Sequence, residues 1–396
     1  MKSIRPTAGR VLLVAPQPFY ADRGTPIAVR YVLQALHDLG MPAELLTVPL
    51  GKDVPVPGAT VHRVANPTGA RSMPVGFSST KVGFDILIGL RMLGLLRGRR
   101  FQYVHAVEES VFLALLTRGW SGVPVIYDMA SALPEHLAKR RLFRSRPMQW
   151  LISAVERWAL SRVAVVICSA GLGDYVRDIA PRTRVLEWRF PAVPARFDPQ
   201  TLAARRRELR IPPGARIVFY SGNFAEYQGI DLFFAAVPEV LARHPDAYLV
   251  CVGASDQQEI DLGRRLLSGA PEERIRLIPR QPRELIEEYV AMADVLVSPR
   301  KSLGNFPLKV FDYLAAGKPI VATDVPSHRC VLDDSLALMC EPSSRGLAQG
   351  ISRILAEPSL ADSLAASASA FAARELSWPG FVELIARIYA TAEGRA

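Results

Sequence analysis

The sequence lacks most of the features that would assign a function at a glance. Its 396 residues contain no apolar run of about 18 or more, so we expect no membrane-spanning helix. The four cysteines show no Cys-x-x-Cys spacing and the six histidines are scattered, which argues against a disulfide framework and a metal centre. A Gly-x-Ser-x-Gly elbow is also absent, so a hydrolase triad has no support. We therefore expect a reduced protein that needs no metal or other cofactor.

We expect no secretion signal either, because residues 1–6 lead directly into an apolar, strand-like run. The cytoplasm is the expected location. At 49% hydrophobic residues, the chain is long enough for two domains that each bury a core of their own.

Acidic residues are scarce in one half of the chain only. Residues 1–196 hold 26 Lys and Arg against 13 Asp and Glu, whereas residues 197–396 hold 22 against 25. Such asymmetry indicates an anionic surface or substrate facing the first half. The basic residues are not interleaved with aromatic ones as on a nucleic-acid platform, so we favour an anionic membrane surface over nucleic acid. A solvated basic face with no partner is the alternative.

Two segments of the first half carry this membrane hypothesis. Residues 84–96 are nearly all apolar and are followed by Arg97, Arg99 and Arg100. Residues 139–146 contain five cations beside Leu142 and Phe143. Apolar surface flanked by Arg is typical of segments that bind anionic lipid, so we expect a peripheral protein on the inner face of the plasma membrane. Alternatively, residues 84–96 form a helix that is buried on both sides.

Strand-like and helix-like segments alternate throughout, with seven candidate strands in the first half and five in the second. This alternation is typical of parallel sheets covered by helices. Residues 190–199 are rich in proline and lack periodicity, as a linker should. We predict an α/β protein with two doubly wound, Rossmann-like domains, residues 1–196 and 200–375. These should face a cleft that receives ligands at the carboxyl ends of the strands.

The most informative segment is residues 298–324. It follows a buried strand and predicts a polar loop with Gly304, a short helix opened by Pro307, and a second strand. A helix start favours an anion, most plausibly a phosphate. Lys309 lies on the first turn, and Asp312 follows where a carboxylate can accept from two sugar hydroxyls. The pattern therefore suits a nucleotide-sugar, although an ordinary strand–helix–strand unit is the simpler alternative.

This segment resembles the donor-binding signature of GT-B glycosyltransferases of family 4. In that family a Glu-x7-Glu motif binds the donor sugar and the ribose. Asp312 matches the second acidic position, whereas the first falls on Gly304. The resemblance implies that backbone amides near Asn305 and Phe306 contact the donor sugar instead. It also implies that the last segment, residues 376–396, forms a helix that packs back on the N-terminal domain.

Two further loops match the donor side of the family. The first strand is followed by Gly24 and Thr25, like the Gly-rich loop at the donor diphosphate. Residues 221–231, with Gly222, Asn223 and Gln228, look like the segment in which an Arg and a Lys commonly hold the diphosphate. Neither Asn223 nor Gln228 is charged, so Arg300 and Lys309 are the expected substitutes. Arg300 as a plain surface charge is the alternative.

The acceptor side is less well defined. Asp128 ends the fifth strand and either orients a hydroxyl or caps the next turn, and Ala130 stands where many relatives place a His. At the end of the fourth strand, we predict Glu108 as the group facing the ligand and Glu109 as the carboxylate of the helix start. His105 reads as a core histidine.

Taken together, the residues and the resemblance predict a retaining, metal-independent glycosyltransferase. It would move a sugar from a nucleotide-diphosphate-sugar to an acceptor that is lipid-linked or a precursor of a cell-surface glycan. Two alternatives stay open, namely a non-catalytic nucleotide-sugar-binding protein or partner subunit, and an epimerase. The catalytic candidates are Asp128, Arg300 and Lys309, with Glu108 and Asp128 on the acceptor side. The donor-binding candidates are Gly24, Thr25, Gly222, Asn223, Gln228, Arg300, Asn305, Phe306, Pro307, Leu308, Lys309 and Asp312.

Overall fold

In the part of the chain that the structure describes, thirteen strands, all paired in parallel, form two separate sheets. The computed structural model describes residues 9–21, 24–73, 78–98, 100–138, 143, 145–192, 197–224, 226–301 and 307–394. The chain divides into two units, Met1–Arg189 with Pro379–Ala396, and Phe190–Trp378. The boundary after Arg189 places the Pro-rich segment 190–199 in the second unit.

The first unit contains a seven-stranded sheet in the order β3-β2-β1-β4-β5-β6-β7. Its central strands are continuous apolar runs that are buried on both faces, as expected of a parallel sheet covered by helices. The strands are β1 (Val11–Ala15), β2 (Ala43–Thr47), β3 (Ala59–Arg63), β4 (Tyr103–Val107), β5 (Val125–Asp128), β6 (Val165–Cys168) and β7 (Val185–Glu187). The helices are α1 (Gly24–Asp38), α2 (Ser79–Arg97), α3 (Ser110–Ser121), α4 (Leu133–Ala138), α5 (Arg146–Leu160) and α6 (Ala170–Ile179).

The second unit contains a six-stranded sheet in the order β10-β9-β8-β11-β12-β13. Its strands are β8 (Arg216–Ser221), β9 (Ala247–Ala254), β10 (Ile275–Pro279), β11 (Val295–Ser298), β12 (Ile320–Thr323) and β13 (Leu338–Cys340). The helices are α7 (Pro199–Glu208), α8 (Ile230–Arg243), α9 (Gln257–Leu266), α10 (Arg283–Met292), α11 (Lys309–Ala315), α12 (Pro326–Arg329), α13 (Ser344–Ala356) and α14 (Pro358–Glu375). No helix in the described ranges is both long and apolar enough to cross a membrane.

The last helix, α15 (Trp378–Ala392), returns to the first unit. Its Tyr389 is fully buried, and the phenol oxygen lies 2.9 Å from Nδ1 of His105 in β4. Phe381 stacks on Trp188 with 6.1 Å between ring centroids, and Arg184 donates to the carbonyl of Thr391. These contacts confirm the predicted return of the C-terminal helix to the N-terminal domain.

The predicted α/β class with two doubly wound, Rossmann-like sheets is confirmed. All twelve predicted strands are present with ends shifted by a few residues at most, and β13 is an additional strand of three residues. His105 is a core histidine as predicted, because it is fully buried in β4 and burial lowers its pKa to about 3.

The His105–Tyr389 contact predicts a specific stability loss. Tyr389→Phe leaves a buried ring nitrogen without its hydroxyl partner and should cost about 1–3 kcal/mol of unfolding free energy. In a His105→Phe background the same change should cost clearly less, because the polar partner is gone. Urea unfolding of the four proteins measures this coupling, and equal losses in both backgrounds would contradict it.

Candidate active site

Most of the predicted donor residues lie at one edge of the second sheet. From β8 the chain runs to β9 and β10 on one side and then crosses to β11 on the other, so the order reverses between β8 and β11. Ligands of open α/β sheets bind outside the carboxyl ends of the strands at such a reversal. Gly222 and Asn223 directly follow β8, and Arg300 follows β11 two residues after its end. The structure thus places these predicted residues directly after two neighbouring strands, β8 and β11.

Two glycines let the loops at this edge approach each other closely. Gly229 has φ of 71°, and a Cβ there would lie 1.8 Å from the carbonyl oxygen of Pro299. Gly253 has φ of 128°, and its Cβ would lie 2.4 Å from the carbonyl oxygen of Gly222. Any side chain would therefore force the loops apart. The loop after β8 is thus packed backbone against backbone on the end of β9 and on the loop after β11, which fixes the groups that these loops carry.

Lys309 reaches from α11 to the end of β8. Its ammonium donates to the carbonyl oxygen of Ser221 at 2.9 Å and lies 4.0 Å from the centroid of the buried Tyr220 ring. Burial, and then the nearby charge of Arg300, hold the pKa of Lys309 well below its usual range. Among the described residues it forms no ion pair with a carboxylate, so its two neighbours are a neutral carbonyl and an aromatic face. This arrangement favours an anionic ligand.

Arg300 is buried, with only 7% of its surface exposed. Its guanidinium carbon lies 5.5 Å from the ring centroid of Tyr227, and its carbonyl oxygen accepts from Thr323 Oγ1 at 2.6 Å. It is therefore part of the loop framework rather than a surface charge. Arg300 and Lys309 bring two cations to the same edge of the sheet.

The helix that carries Lys309 begins later than predicted. Helix α11 starts at Lys309, not at Pro307, and the amides of Val310 and Phe311 donate to the carbonyls of Pro307 and Leu308. The chain enters the helix through a tight turn that uses these two amides itself. These two amides bond within the chain, and the predicted anion site at the helix start, with Arg300 and Lys309 beside it, stays a prediction.

Asp312 is already engaged within the protein. Its Oδ1 accepts from Arg283 Nη2 at 2.8 Å, and both side chains remain about one-third exposed, at 35% and 31%. Burial raises the pKa of the Asp312 carboxyl, and the Arg283 charge opposes that rise. No sequence pattern indicates Arg283, because the partners lie 29 positions apart on different helices. Ligand binding to Asp312 must use the remaining oxygen or displace Arg283.

Several oxygens of the loop after β8 and of the first turn of α8 have no hydrogen-bond partner within the described ranges. These buried atoms are Oδ1 of Asn223, Oε1 of Gln228 and Oδ1 of Asp231. Asn223 donates through its Nδ2 to the hydroxyl of Tyr227 at 3.2 Å, and Asp231 is ion-paired with Lys301 through its other oxygen. Unsatisfied acceptors call for a ligand with hydroxyl or N–H donors. They are unsuited to a phosphate.

His328 belongs to the same edge and was missed in the sequence. It is fully buried on α12, where Nε2 lies 2.8 Å from Ser298 Oγ and Nδ1 lies 2.7 Å from the carbonyl of Thr323. Burial lowers the pKa of His328 to about 4, so the ring is neutral near pH 7. It ties the ends of β11 and β12 together beneath Arg300. Its only signal in the sequence is its position four residues after Asp324, the end of the donor-binding signature.

The first unit brings together Thr25, Glu108 and Asp128. Thr25 lies beside Gly24 on the first turn of α1, and its hydroxyl is 3.5 Å from Glu108 Oε1. The amide of Glu108 donates to the carbonyl of Asp128, and Glu108 has φ of 52°, which turns the chain sharply after β4. The carboxyl ends of β1, β4 and β5 therefore meet at the reversal point of this sheet.

The carboxyls of this second cluster hold protons near neutral pH. Burial raises the pKa of Asp128 to about 7, and Trp188 Nε1 donates to its Oδ1 at 2.8 Å. Burial also raises the pKa of Glu108 to about 7, and the charge of Glu109 adds to the rise. Glu109 precedes α3 as predicted but makes no capping bond, because it pairs with Lys81. The cluster can accept, donate or share protons with hydroxyl groups.

Some predicted positions fall outside the described residues. These are Gly304, Asn305 and Phe306 of the donor loop, together with most of the basic segment 139–146. Within the described ranges, no group of three or more His, Cys, Asp and Glu side chains is placed to hold a metal ion.

The comparisons with known proteins agree with this architecture. Residues 23–187 match the family model described as "Glycosyl transferase 4-like domain". Residues 215–357 match the model described as "Glycosyl transferases group 1". The chain belongs to the GT-B glycosyltransferases of family 4. Both matches together cover most of the chain; the first ends with β7, and the second begins one residue before β8.

Individual relatives are distant but extend over the whole chain. A phosphatidyl-myo-inositol mannosyltransferase of Mycolicibacterium smegmatis is 22% identical, over 97% of this chain and 94% of its own length. The structure of sucrose-phosphate synthase from Thermosynechococcus elongatus superposes with a TM-score of 0.80 at 19% identity, covering 98% of this chain and 100% of its own. Anabaena HepE, solved in complex with UDP-glucose, gives 0.74 at 14% identity, covering 96% and 98%. At these identities the structures establish the fold alone.

The protonated carboxyl of Asp128 predicts an unusual pH dependence of stability. Its folded pKa of about 7 lies above the ordinary 3.8, so the folded state holds a proton that the unfolded chain has lost. Asp128 should therefore lower stability progressively as pH rises from about 4 to about 7, by on the order of a few kcal/mol. Asp128→Asn, which keeps an oxygen for Trp188, should remove this loss.

Thermal unfolding between pH 4 and 8 measures the effect, with Asp53→Asn as a control because its side chain is 98% exposed. A flatter profile for Asp128→Asn alone is expected. Identical profiles for wild type and Asp128→Asn would show that the carboxyl titrates normally.

Proposed function

We propose that this protein is a retaining, metal-independent glycosyltransferase that uses a nucleotide-diphosphate-sugar. Its acceptor is a lipid-linked molecule or a precursor of a cell-surface glycan, reached at the cytoplasmic face of the membrane. The observation that carries the proposal is the half-buried ammonium of Lys309, which is held by a carbonyl and an aromatic ring and is paired with no described carboxylate. A departing nucleoside diphosphate supplies the missing negative charge.

The role of the two cations follows from the chemistry of the leaving group. As the glycosidic bond to the diphosphate breaks, negative charge accumulates on the phosphate oxygens, and fixed positive charges there lower the barrier. The ammonium of Lys309 is held by Ser221 and Tyr220, and the guanidinium of Arg300 lies over the ring of Tyr227, so little reorganisation is needed. Two fixed cations supply what a bound divalent metal would otherwise provide, which is why we propose a metal-independent reaction.

The remaining donor contacts involve hydroxyl groups. Asp312 offers Oδ2 to the ribose while Arg283 holds Oδ1. The acceptor oxygens of Asn223 and Gln228 take hydroxyl donors of the nucleotide-sugar. Gln228 therefore recognises hydroxyls, and the diphosphate relies on Arg300 and Lys309.

Glu108 and Asp128 serve the acceptor in this proposal. Each has a pKa raised to about 7 by burial, so near neutral pH it can either donate to or accept from a hydroxyl group. The family resemblance implies that a leaving phosphate oxygen removes the acceptor proton on the same face, which gives retention. Such a reaction needs no strong side-chain base, in keeping with Ala130 at the position where relatives carry a His.

The relatives support both substrate classes. The name phosphatidyl-myo-inositol mannosyltransferase describes transfer to a lipid, and the HepE structure holds UDP-glucose. A non-catalytic nucleotide-sugar-binding protein is the second candidate, favoured by Gly304 in place of the first acidic residue of the motif. Mass spectrometry of products formed from UDP-, GDP- and ADP-sugars with lipid-linked acceptors, with and without EDTA, separates the two. Transfer that survives EDTA supports our proposal, whereas donor binding without transfer supports the second candidate.

The contact of Lys309 with Ser221 and Tyr220 predicts its importance for the donor. Lys309→Met keeps the length of the side chain but removes the charge, and should weaken binding of the nucleoside diphosphate at least about tenfold. Lys318→Met, just before β12 at the opposite end of the strands, is the matched control and should bind normally. Calorimetric titration measures both, and normal binding by Lys309→Met would contradict the assignment.

The burial of Arg300 and the free oxygen of Gln228 predict different effects at these two positions. Arg300→Gln should reduce kcat/KM for transfer about thirtyfold, because it removes a cation from the leaving group. This corresponds to about 2 kcal/mol of transition-state stabilisation. Gln228→Ala should mainly raise KM, since it removes contacts to hydroxyls present throughout the reaction. Initial-rate kinetics distinguish the two patterns. An active Arg300→Gln beside an inactive Gln228→Ala would move the diphosphate to the loop after β8.

A further inference from the structure

Three neighbouring helices of the first unit expose an unusual amount of apolar surface. Helix α3 packs between α2 and α5. The outward side chains include Ile86 and Leu90 on α2, Leu116 on α3 and Trp150 on α5, each 59–73% exposed. Nine of the twelve exposed large hydrophobic residues of the described chain lie on these three helices. We call the outward surface of α2, α3 and α5 the three-helix face.

Helix α5 is apolar on two opposite sides. Ile152, Ala159 and Leu160 pack into the core of the first unit. Trp150, Leu151, Val155 and Trp158 form a second stripe, because positions i, i+1, i+5 and i+8 fall on one side of a helix. This second stripe is exposed to solvent. A helix that is apolar on its outer side needs an apolar environment there, which water does not provide.

Helix α2 repeats the pattern and corrects one of the two sequence-based interpretations of residues 84–96, that of a helix buried on both sides. Phe84, Ile88 and Met92 are buried in the core, whereas Ile86 and Leu90 point outward. The segment is therefore not buried on both sides, and its exposed side is the part that a lipid surface could contact. Its outer stripe continues the apolar surface of α3.

The charges on the three-helix face are all of one sign. The exposed ionic side chains of these helices are arginines, Arg91 and Arg97 on α2 and Arg146 and Arg157 on α5. Neither acidic side chain of these helices is exposed. Asp85 is half-buried, and Glu156 is buried and accepts a hydrogen bond from the amide of Leu133.

The guanidinium carbon of Arg162 lies over the ring of Trp158, 5.0 Å from the ring centroid. Tryptophan and arginine beside aliphatic residues, without exposed carboxylates, form the composition of surfaces that lie in the headgroup region of a bilayer. Anionic lipid supplies the complementary charge at roughly 1 kcal/mol per cation near the surface.

We propose that the three-helix face is the surface by which this protein docks on an anionic bilayer, with the tryptophans of α3 and α5 in the lipid interface. The inference deepens the proposed function, on which it rests, because it assigns the membrane partner to a defined surface. A second copy of the chain is a poorer occupant, because a two-fold interface would bring the arginines of both copies against each other.

Vesicle co-sedimentation tests this surface with matched variants. Wild-type protein should bind vesicles of phosphatidylcholine with phosphatidylglycerol more strongly than phosphatidylcholine alone, and salt should weaken the binding. Leu116→Ser with Trp150→Ser should reduce the partition coefficient about tenfold or more, because both side chains leave the lipid. The control pair Leu262→Ser with Leu266→Ser, exposed on α9 of the second unit, should bind like wild type.

A charge pair completes the test. Arg91→Gln with Arg157→Gln should weaken binding to anionic vesicles only, whereas Arg264→Gln with Arg353→Gln, exposed in the second unit, should have no effect. Brominated lipid should quench the fluorescence of the wild type strongly, since three of the five tryptophans, Trp120, Trp150 and Trp158, lie on this face. Unchanged binding by the Leu116/Trp150 variant, or no binding by wild type, would overturn the proposal.

Two further readouts distinguish membrane docking from dimer formation and from a failure of the donor site. Light scattering that shows a dimer abolished by the Leu116/Trp150 changes would assign the face to a second copy and overturn membrane docking. Titration with the nucleoside diphosphate in the absence of vesicles should give the same affinity for all variants. Vesicle binding without nucleotide binding would support the docking surface while refuting the proposed donor, and the reverse result would refute the surface alone.

Discussion

The ammonium of Lys309 on the ring of Tyr220 is the contact on which the second unit's site depends. The charge sits 4.0 Å from the ring centroid and 2.9 Å from the carbonyl of Ser221, at the end of β8. Gly222 follows directly, and a Cβ there would lie 2.8 Å from the Tyr220 hydroxyl and 3.2 Å from the ammonium. The strand end, the glycine turn and the cation therefore constrain one another. Because its partners are neutral, the ammonium of Lys309 is preorganised to bind an anionic ligand.

The first unit also holds buried ionisable groups at the end of its strands, but these are carboxyls and not cations. Glu108 and Asp128 are carboxyls whose pKa burial raises to about 7, and the fold ties their backbones together at the ends of β4 and β5. Each sheet thus holds ionisable groups at its reversal point in a partly desolvated state. Such groups lower stability, and sites that do so are typically functional. The desolvated cations of the second unit suit an anionic ligand, and the desolvated carboxyls of the first unit suit a ligand with hydroxyl groups.

Much of the fold could be predicted from the sequence because buried parallel strands are continuous apolar runs. That signal located twelve strands and failed only for Leu338–Cys340, which is three residues long and half-buried. Local motifs also located Lys309 and Arg300. Contacts between distant segments could not be predicted, as the Asp312–Arg283 pair and the buried His328 illustrate. Nor could the sequence show which side of residues 84–96 faces the core, because nearly every residue of that run is apolar.

The pKa of Lys309 with and without a nucleoside diphosphate tests the role of this cation most directly. Lysine labelled at Cε can be titrated by NMR, with the Lys309→Met variant assigning the signal among the seven lysines. We predict a pKa well below the usual 10.5 in the free protein and a clear rise on addition of the diphosphate, because the bound anion stabilises the charged form. An ordinary pKa in the free protein, or one that the diphosphate leaves unchanged, would contradict the assignment of Lys309 to the leaving group.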